Sequence, residues 1–146
     1  MITLYNYELS GNCYKLRLLM NLLGLSYRTV DLEFYPGKEH KGEAFLAINP
    51  LGQLPALDDD GYVLRDAQAI LTYLAARYDA SGTWYPVQDP RRLGEVNMWL
   101  AFADGITDVI RKGVLHFINL PVGEGGDGSS PKNKRKVGGA GAPADT

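Results

Sequence analysis

One cysteine, Cys13, stands among 146 residues. No disulfide can form within the chain, and a dithiol redox mechanism is excluded. Charge of one sign is not in excess either. Seventeen acidic residues against 15 lysines and arginines leave a formal charge of −2, which gives no hint of a nucleic-acid surface overall. Long apolar runs are missing: nothing approaches the roughly 20 residues that span a bilayer. The N-terminus has no basic stretch followed by an apolar one, so no signal peptide is expected. These absences predict a reducing, cytoplasmic setting and no membrane partner. What remains is a hydrophobic content of 45%, enough for a core, in a chain long enough for one ordinary domain or a small domain plus a fragment. No internal repeat is evident.

The pattern begins as a strand over residues 2–6. Helical spacing follows from Gly11 to Leu23, with Leu16, Leu19, Met20 and Leu23 on one face and Gly24 as its stop. Residues 27–32 alternate as a second strand. A loop from Glu33 to Lys41 and a short helix near 42–47 come next. Strands at 54–59 and 62–64 are joined by Asp60-Gly61, a hairpin signal. Asp66 then caps a helix whose apolar face holds Ala69, Ile70, Tyr73 and Leu74. Residues 79–90 are polar and punctuated by Ser81-Gly82, Pro86 and Pro90, as a linker is. A helix is predicted from about Arg91 to Lys112, with Val96, Trp99, Ala103, Ile106 and Ile110 on one face and an interruption at Gly113. From about residue 120 the chain is rich in Gly, Ser, Pro and Ala. It cannot bury enough apolar surface to order itself.

The most informative stretch is Asn49-Pro50-Leu51-Gly52-Gln53-Leu54-Pro55-Ala56-Leu57. It reads as a turn feeding a strand that has a proline at its start. Pro55 cannot donate to a ladder, so it implies an edge, a bulge or a cis turn; a cis Leu54–Pro55 bond is expected. The Asp60-Gly61 turn and the capped helix start Asp66-Ala67-Gln68-Ala69-Ile70 follow at fixed spacing. Together these elements resemble the glutathione-binding half of the glutathione S-transferases, of the theta-like or bacterial serine type. The resemblance covers roughly the first 118 residues. It implies an α/β fold: a thioredoxin-like βαβ-ββα domain over residues 1–78, a linker over 79–90, and a partial all-α domain over 91–119. Residues 120–146 are expected to be a disordered tail. In the family, a full helical domain supplies the electrophile pocket and much of the dimer contact; only its beginning is recognisable here.

The resemblance also implies roles for individual residues. Ser10 matches the catalytic serine, whose hydroxyl stabilises a thiolate beside a helix N-terminus. Its plainer reading is an N-cap, and Tyr7, ahead of Tyr5, is a rival hydroxyl. Cys13 occupies the second position of a would-be Cys-x-x-Cys; it is read as packing, with a monothiol forming a mixed disulfide as the alternative. Leu54, fixed by Pro55, would offer its N–H and C=O to an extended peptide. Asp66 and Ala67 align with the acidic-Ser pair that holds the γ-glutamyl end, and Ala67 lacks the usual hydroxyl. Asn12, His40, Lys41 and Gln53 fall where the family contacts the ligand, Gln53 replacing a frequent lysine. Asp104, or Asp108 one turn on, stands where an acidic residue can reach the partner subunit's ligand. No metal is expected. The basic run Lys132-Asn133-Lys134-Arg135-Lys136 is read as solvated tail.

The function that follows is binding of glutathione as co-substrate and attack of its thiolate on an unknown small electrophile, in a homodimer. The rivals are a non-catalytic binding or dimerisation module and a truncated, inactive gene product.

Overall fold

The computed structural model describes residues 1–118. The expected tail and its basic run lie outside them. Residues Met1–Ile110 form one compact unit. The elements are β1 (Ile2–Asn6), α1 (Gly11–Leu22), β2 (Tyr27–Asp31), a 3-10 turn (Glu39–Lys41), α2 (Glu43–Leu46), β3 (Ala56–Asp59), β4 (Tyr62–Arg65), α3 (Ala67–Tyr78) and α4 (Pro90–Ile118).

The four strands make one mixed sheet in the order β2-β1-β3-β4. β1 runs parallel to β2 and antiparallel to β3, and β4 returns antiparallel to β3. This is the βαβ-ββα arrangement of the thioredoxin-like fold. β1 is central and carries Ile2 and Leu4 into the core; Leu4 sits opposite Leu57 in the register. Leu16, Leu19 and Met20 of α1 and Ile70, Leu74 and Ala75 of α3 close over them. Each fully buried Leu or Ile contributes about 1.5–3 kcal/mol relative to exposure. The helical spacing of the leucines in α1 therefore does what it implied.

Some boundaries differ from expectation. β3 starts at Ala56 rather than Leu54, because Pro55 has no N–H to enter the ladder. Leu54–Pro55 is cis, and so is Tyr35–Pro36. The loop after β2 contains a 3-10 turn that brings His40 inside. Asp60 and Gly61 both have positive φ, 52° and 90°, as a two-residue type I′ hairpin turn requires. α4 runs through Gly113 to Ile118 without interruption; one glycine costs only about 1 kcal/mol in a helix, too little to end so long a one.

The register fixes where the loops collect. Tyr5 pairs with Ala56, and Ala56 with Arg65. The exit of β1, the entry of β3 and the exit of β4 therefore share one end of the sheet. Ser10, Leu54-Pro55 and Asp66-Ala67 are all within a few residues of that line.

Candidate functional site

Ser10 is half-buried at the N-cap of α1, and its Oγ accepts a hydrogen bond of 3.2 Å from the Cys13 N–H. The cap uses the oxygen as acceptor and leaves its proton free to be donated. The N-cap reading of Ser10 holds, and the cap does not use the hydroxyl proton. The turn that carries it is braced from behind. Arg17 donates to the Glu8 carboxylate at 2.7 Å, to the Glu8 carbonyl at 3.3 Å and to Asn6 Oδ1 at 3.0 Å. Asn6 in turn donates to Asp31 at 2.7 Å. Neither Arg17 nor Asn6 stood out in the sequence, where Arg17 is one polar residue among leucines.

Cys13 is fully buried. Burial raises its thiol above the ordinary cysteine value, ahead of the opposing Ser10 hydroxyl, the Tyr7 backbone and the Arg17 charge. A buried, protonated thiol is inert, in keeping with packing. Tyr7 lies over Phe34 with ring centroids 5.3 Å apart, and Phe34 over His40 at 4.0 Å, nearly parallel. Tyr5 packs on Phe45.

His40 is therefore not a solvated loop residue. It is buried, its Nδ1 has no partner among the described residues, and burial, then Lys41 and Lys38, lower it below the usual histidine value. All three influences favour the neutral imidazole. Lys41 Nζ donates to the Leu51 carbonyl at 3.0 Å. Gly52, at φ 55°, packs so closely that a Cβ would come 2.7 Å from the His40 carbonyl. Only glycine fits there.

Leu54 follows this turn. Its N–H and C=O make no hydrogen bond among the described residues, so both are open to a ligand strand. The side chain of Gln53 is exposed. Asp66 has φ 73° and caps α3, with one carboxylate oxygen accepting from Gln68 N–H at 2.9 Å and Ala69 N–H at 3.0 Å. Its second oxygen has no bond among the described residues, and neither has the Ala67 N–H. Ala67 itself is buried. Asn12 is half-buried in the first turn of α1.

Lys15, which the sequence reading missed, is half-buried on α1. Burial lowers its ammonium below the ordinary lysine value, while the carboxylates of Asp104 and Asp66 oppose that. Asp104 and Asp66 thus bear on one cation. The side chain of Asp108 lies outside the described ones. Among the described residues no three His, Cys, Asp or Glu side chains cluster as a metal site, and no helix is long and apolar enough to cross a membrane.

The family described as Glutathione S-transferase, N-terminal domain, matches residues 4–82. The chain is 41% identical over 83 residues to the human glutathione S-transferase theta-2, covering 56% of this chain and 33% of that one. It is 35% identical over 124 residues to a maleylacetoacetate isomerase of Rhizobium meliloti, covering 84% and 56%. An epsilon-class glutathione S-transferase from the housefly, Musca domestica, superimposes with a TM-score of 0.69 at 28% identity, over 72% of this chain and 47% of the other. The chain spans between a third and just over half of the length of these curated relatives. A family match across more than half of the sequence, with solved glutathione S-transferases superimposing on the same fold, places it: the chain belongs to the glutathione S-transferase family.

Proposed function

We propose that the chain binds glutathione at the end of the sheet where Ser10, Leu54 and Asp66-Ala67 collect, and prepares its thiol for attack on an electrophile. The observation that carries this is the set of uncommitted groups there. They are the Ser10 proton, the N–H and C=O of Leu54, the Ala67 N–H and one oxygen of Asp66. An extended tripeptide with an anion at one end, an ammonium beside it and a thiol in the middle needs that set. Leu54 takes the cysteinyl main chain as an added strand. The Ala67 N–H, at the positive end of α3, takes the γ-glutamyl carboxylate. Asp66 takes the neighbouring ammonium. His40 and Lys41 stand near the other end, where His40 serves a carboxylate as a neutral N–H donor. Asn12 and Gln53 complete the expected contacts.

The chemistry is modest. Ser10 donates to the sulfur and the N-terminus of α1 lies beside it, so the thiol loses its proton to solvent more readily. The thiolate pair then forms the carbon–sulfur bond, and the electrophile's leaving group departs or its double bond takes up the electrons. Lowering a thiol's pKa by one unit needs about 1.4 kcal/mol. One charged hydrogen bond supplies about 1.5–3 kcal/mol. A homodimer joined through α4, in which Asp104 approaches the partner's ligand, belongs to the same reading, as does a domain division at residues 79–90. The exposed apolar side chains of α4 support it.

The test is a calorimetric titration with glutathione, followed by conjugation of a generic electrophile at saturating glutathione. Saturable binding with a rate above the uncatalysed one is expected. Binding without rate enhancement leaves a binding module, and no binding refutes the reading.

A further inference from the structure

Asn49 is 1% exposed, one of the most deeply buried polar side chains in the unit. It belongs to the Asn-Pro turn, yet its amide does more than close that turn. Nδ2 donates to the Gln53 carbonyl at 2.7 Å, and Oδ1 accepts from the Leu51 N–H at 3.2 Å. The two partners fix the amide's orientation, because a carbonyl cannot donate and an N–H cannot accept. The turn is further closed by the Gly52 N–H, which donates to the Asn49 carbonyl at 2.8 Å.

The Gln53–Leu54 peptide is trans. In a planar trans peptide the C=O and N–H point in opposite directions. Asn49 draws the Gln53 carbonyl inward, so the Leu54 N–H is turned outward. That N–H has no partner among the described residues. It is the donor that the proposed binding mode requires of Leu54.

We infer that Asn49 is a positioning residue for ligand recognition. Its buried amide holds the Gln53–Leu54 peptide plane so that the Leu54 N–H faces an incoming peptide. This rests on the glutathione-binding reading and deepens it. Asn49 need not touch the ligand. It removes the rotational freedom that the turn would otherwise lose on binding, which is how preorganisation gains affinity. A carboxamide suits the role because one planar group supplies both the donor and the acceptor.

The experiment uses the full chain, labelled with ¹⁵N and titrated with glutathione. In the wild type, the Leu54 amide exchanges freely before ligand. At saturation it shifts strongly and becomes protected, alongside changes at Cys13 and Ala67. Asn49→Asp keeps the acceptor for Leu51 and replaces the donor by an oxygen that repels the Gln53 carbonyl. It is expected to weaken binding about tenfold and to lose the Leu54 protection at saturation, while the shifts at Cys13 remain. A purely structural role would instead lower thermal stability and scatter shifts through the core without singling out Leu54. Should Asn49→Asp fail to fold, exchange in the wild type still decides. A Leu54 amide already protected in the free chain, or one unmoved while Cys13 and Ala67 respond, overturns the proposal alone. No response anywhere in the wild type overturns the binding reading and this inference with it.

Discussion

In the proposed mechanism Ser10 carries two jobs on one hydroxyl, and substitutions can separate them. Its oxygen caps α1 by accepting from the Cys13 N–H at 3.2 Å. Removing such a cap costs about 0.5–2 kcal/mol of stability. Its proton, in the proposed complex, is donated to the ligand sulfur, and losing that charged bond costs about 1.5–3 kcal/mol. Divided by about 1.4 kcal/mol per unit, this is a rise of about one to two units in the bound thiol's pKa. At a pH below the wild-type bound thiol's pKa, the thiolate fraction and the conjugation rate fall about ten- to a hundredfold. Ser10→Ala should show both losses. Ser10→Asp keeps a capping oxygen, so its unfolding midpoint should stay near the wild type. Its negative charge, however, repels a thiolate and should raise the thiol at least as far as alanine does. Ser10→Thr keeps both functions. Thermal unfolding followed by circular dichroism reads the first effect, and the ultraviolet thiolate band of bound glutathione, titrated with pH, reads the second. If the bound thiol titrates alike in the wild type, Ser10→Ala and Ser10→Asp, then Ser10 is a cap and nothing more, and the proposed mechanism loses its central group.

Ala67→Ser should tighten glutathione binding by restoring the hydroxyl that the family pattern carries at this position; calorimetry that shows no gain, in a protein folded as before, removes the assigned role. At the opposite end of the sheet, Asp59 is buried, accepts hydrogen bonds from Tyr73 at 2.7 Å and Tyr78 at 2.6 Å, and forms an ion pair with Arg77 at 3.2 Å. Burial alone would raise its carboxyl, but the two tyrosine hydroxyls and the Arg77 charge together hold it below the ordinary value. Burial and the same carboxylate push the Tyr73 phenol up to about 12. With the folded pKa below the unfolded one, the stability Asp59 adds is complete above about pH 4. It is lost as the pH falls through the folded value. Asp59→Asn should cost about 1–3 kcal/mol at neutral pH and less in acid, with glutathione affinity of the folded protein unchanged; equal urea midpoints for the two proteins at pH 7 would count against the cluster. Finally, Met98, Trp99, Phe102, Val109 and Ile110 of α4 are each more than half exposed, a patch of the kind that marks an interaction surface. Light scattering should report self-association that Trp99→Lys weakens, and a stable monomer at high micromolar concentration would contradict it.

How far the sequence reaches depends on the range over which each signal acts. The leucines of α1 and the Asp60-Gly61 turn are local, and a period of 3.6 or a two-residue turn can be read without knowing what packs on it. The Asn-Pro-x-Gly run was equally legible, because proline and glycine restrict the backbone wherever they occur. The role proposed for Ser10 rests on its place ahead of a helix and on the family pattern, not on any neighbour in sequence. His40 was harder. Its burial depends on Phe34, six residues earlier, stacking on it across a 3-10 turn, and no periodicity announces that. Arg17 and Lys15 are two residues apart on α1 and read alike, as ordinary cations on a helix. Only the folded chain turns Arg17 toward Asn6 and Glu8 behind the Ser10 turn, and brings Lys15 into the field of Asp66 and Asp104. Asn49 shows the limit most clearly. As a residue type before proline it is a turn former. Its consequence, the outward turn of the Leu54 N–H, exists only because a peptide plane four residues on lies within reach of its amide.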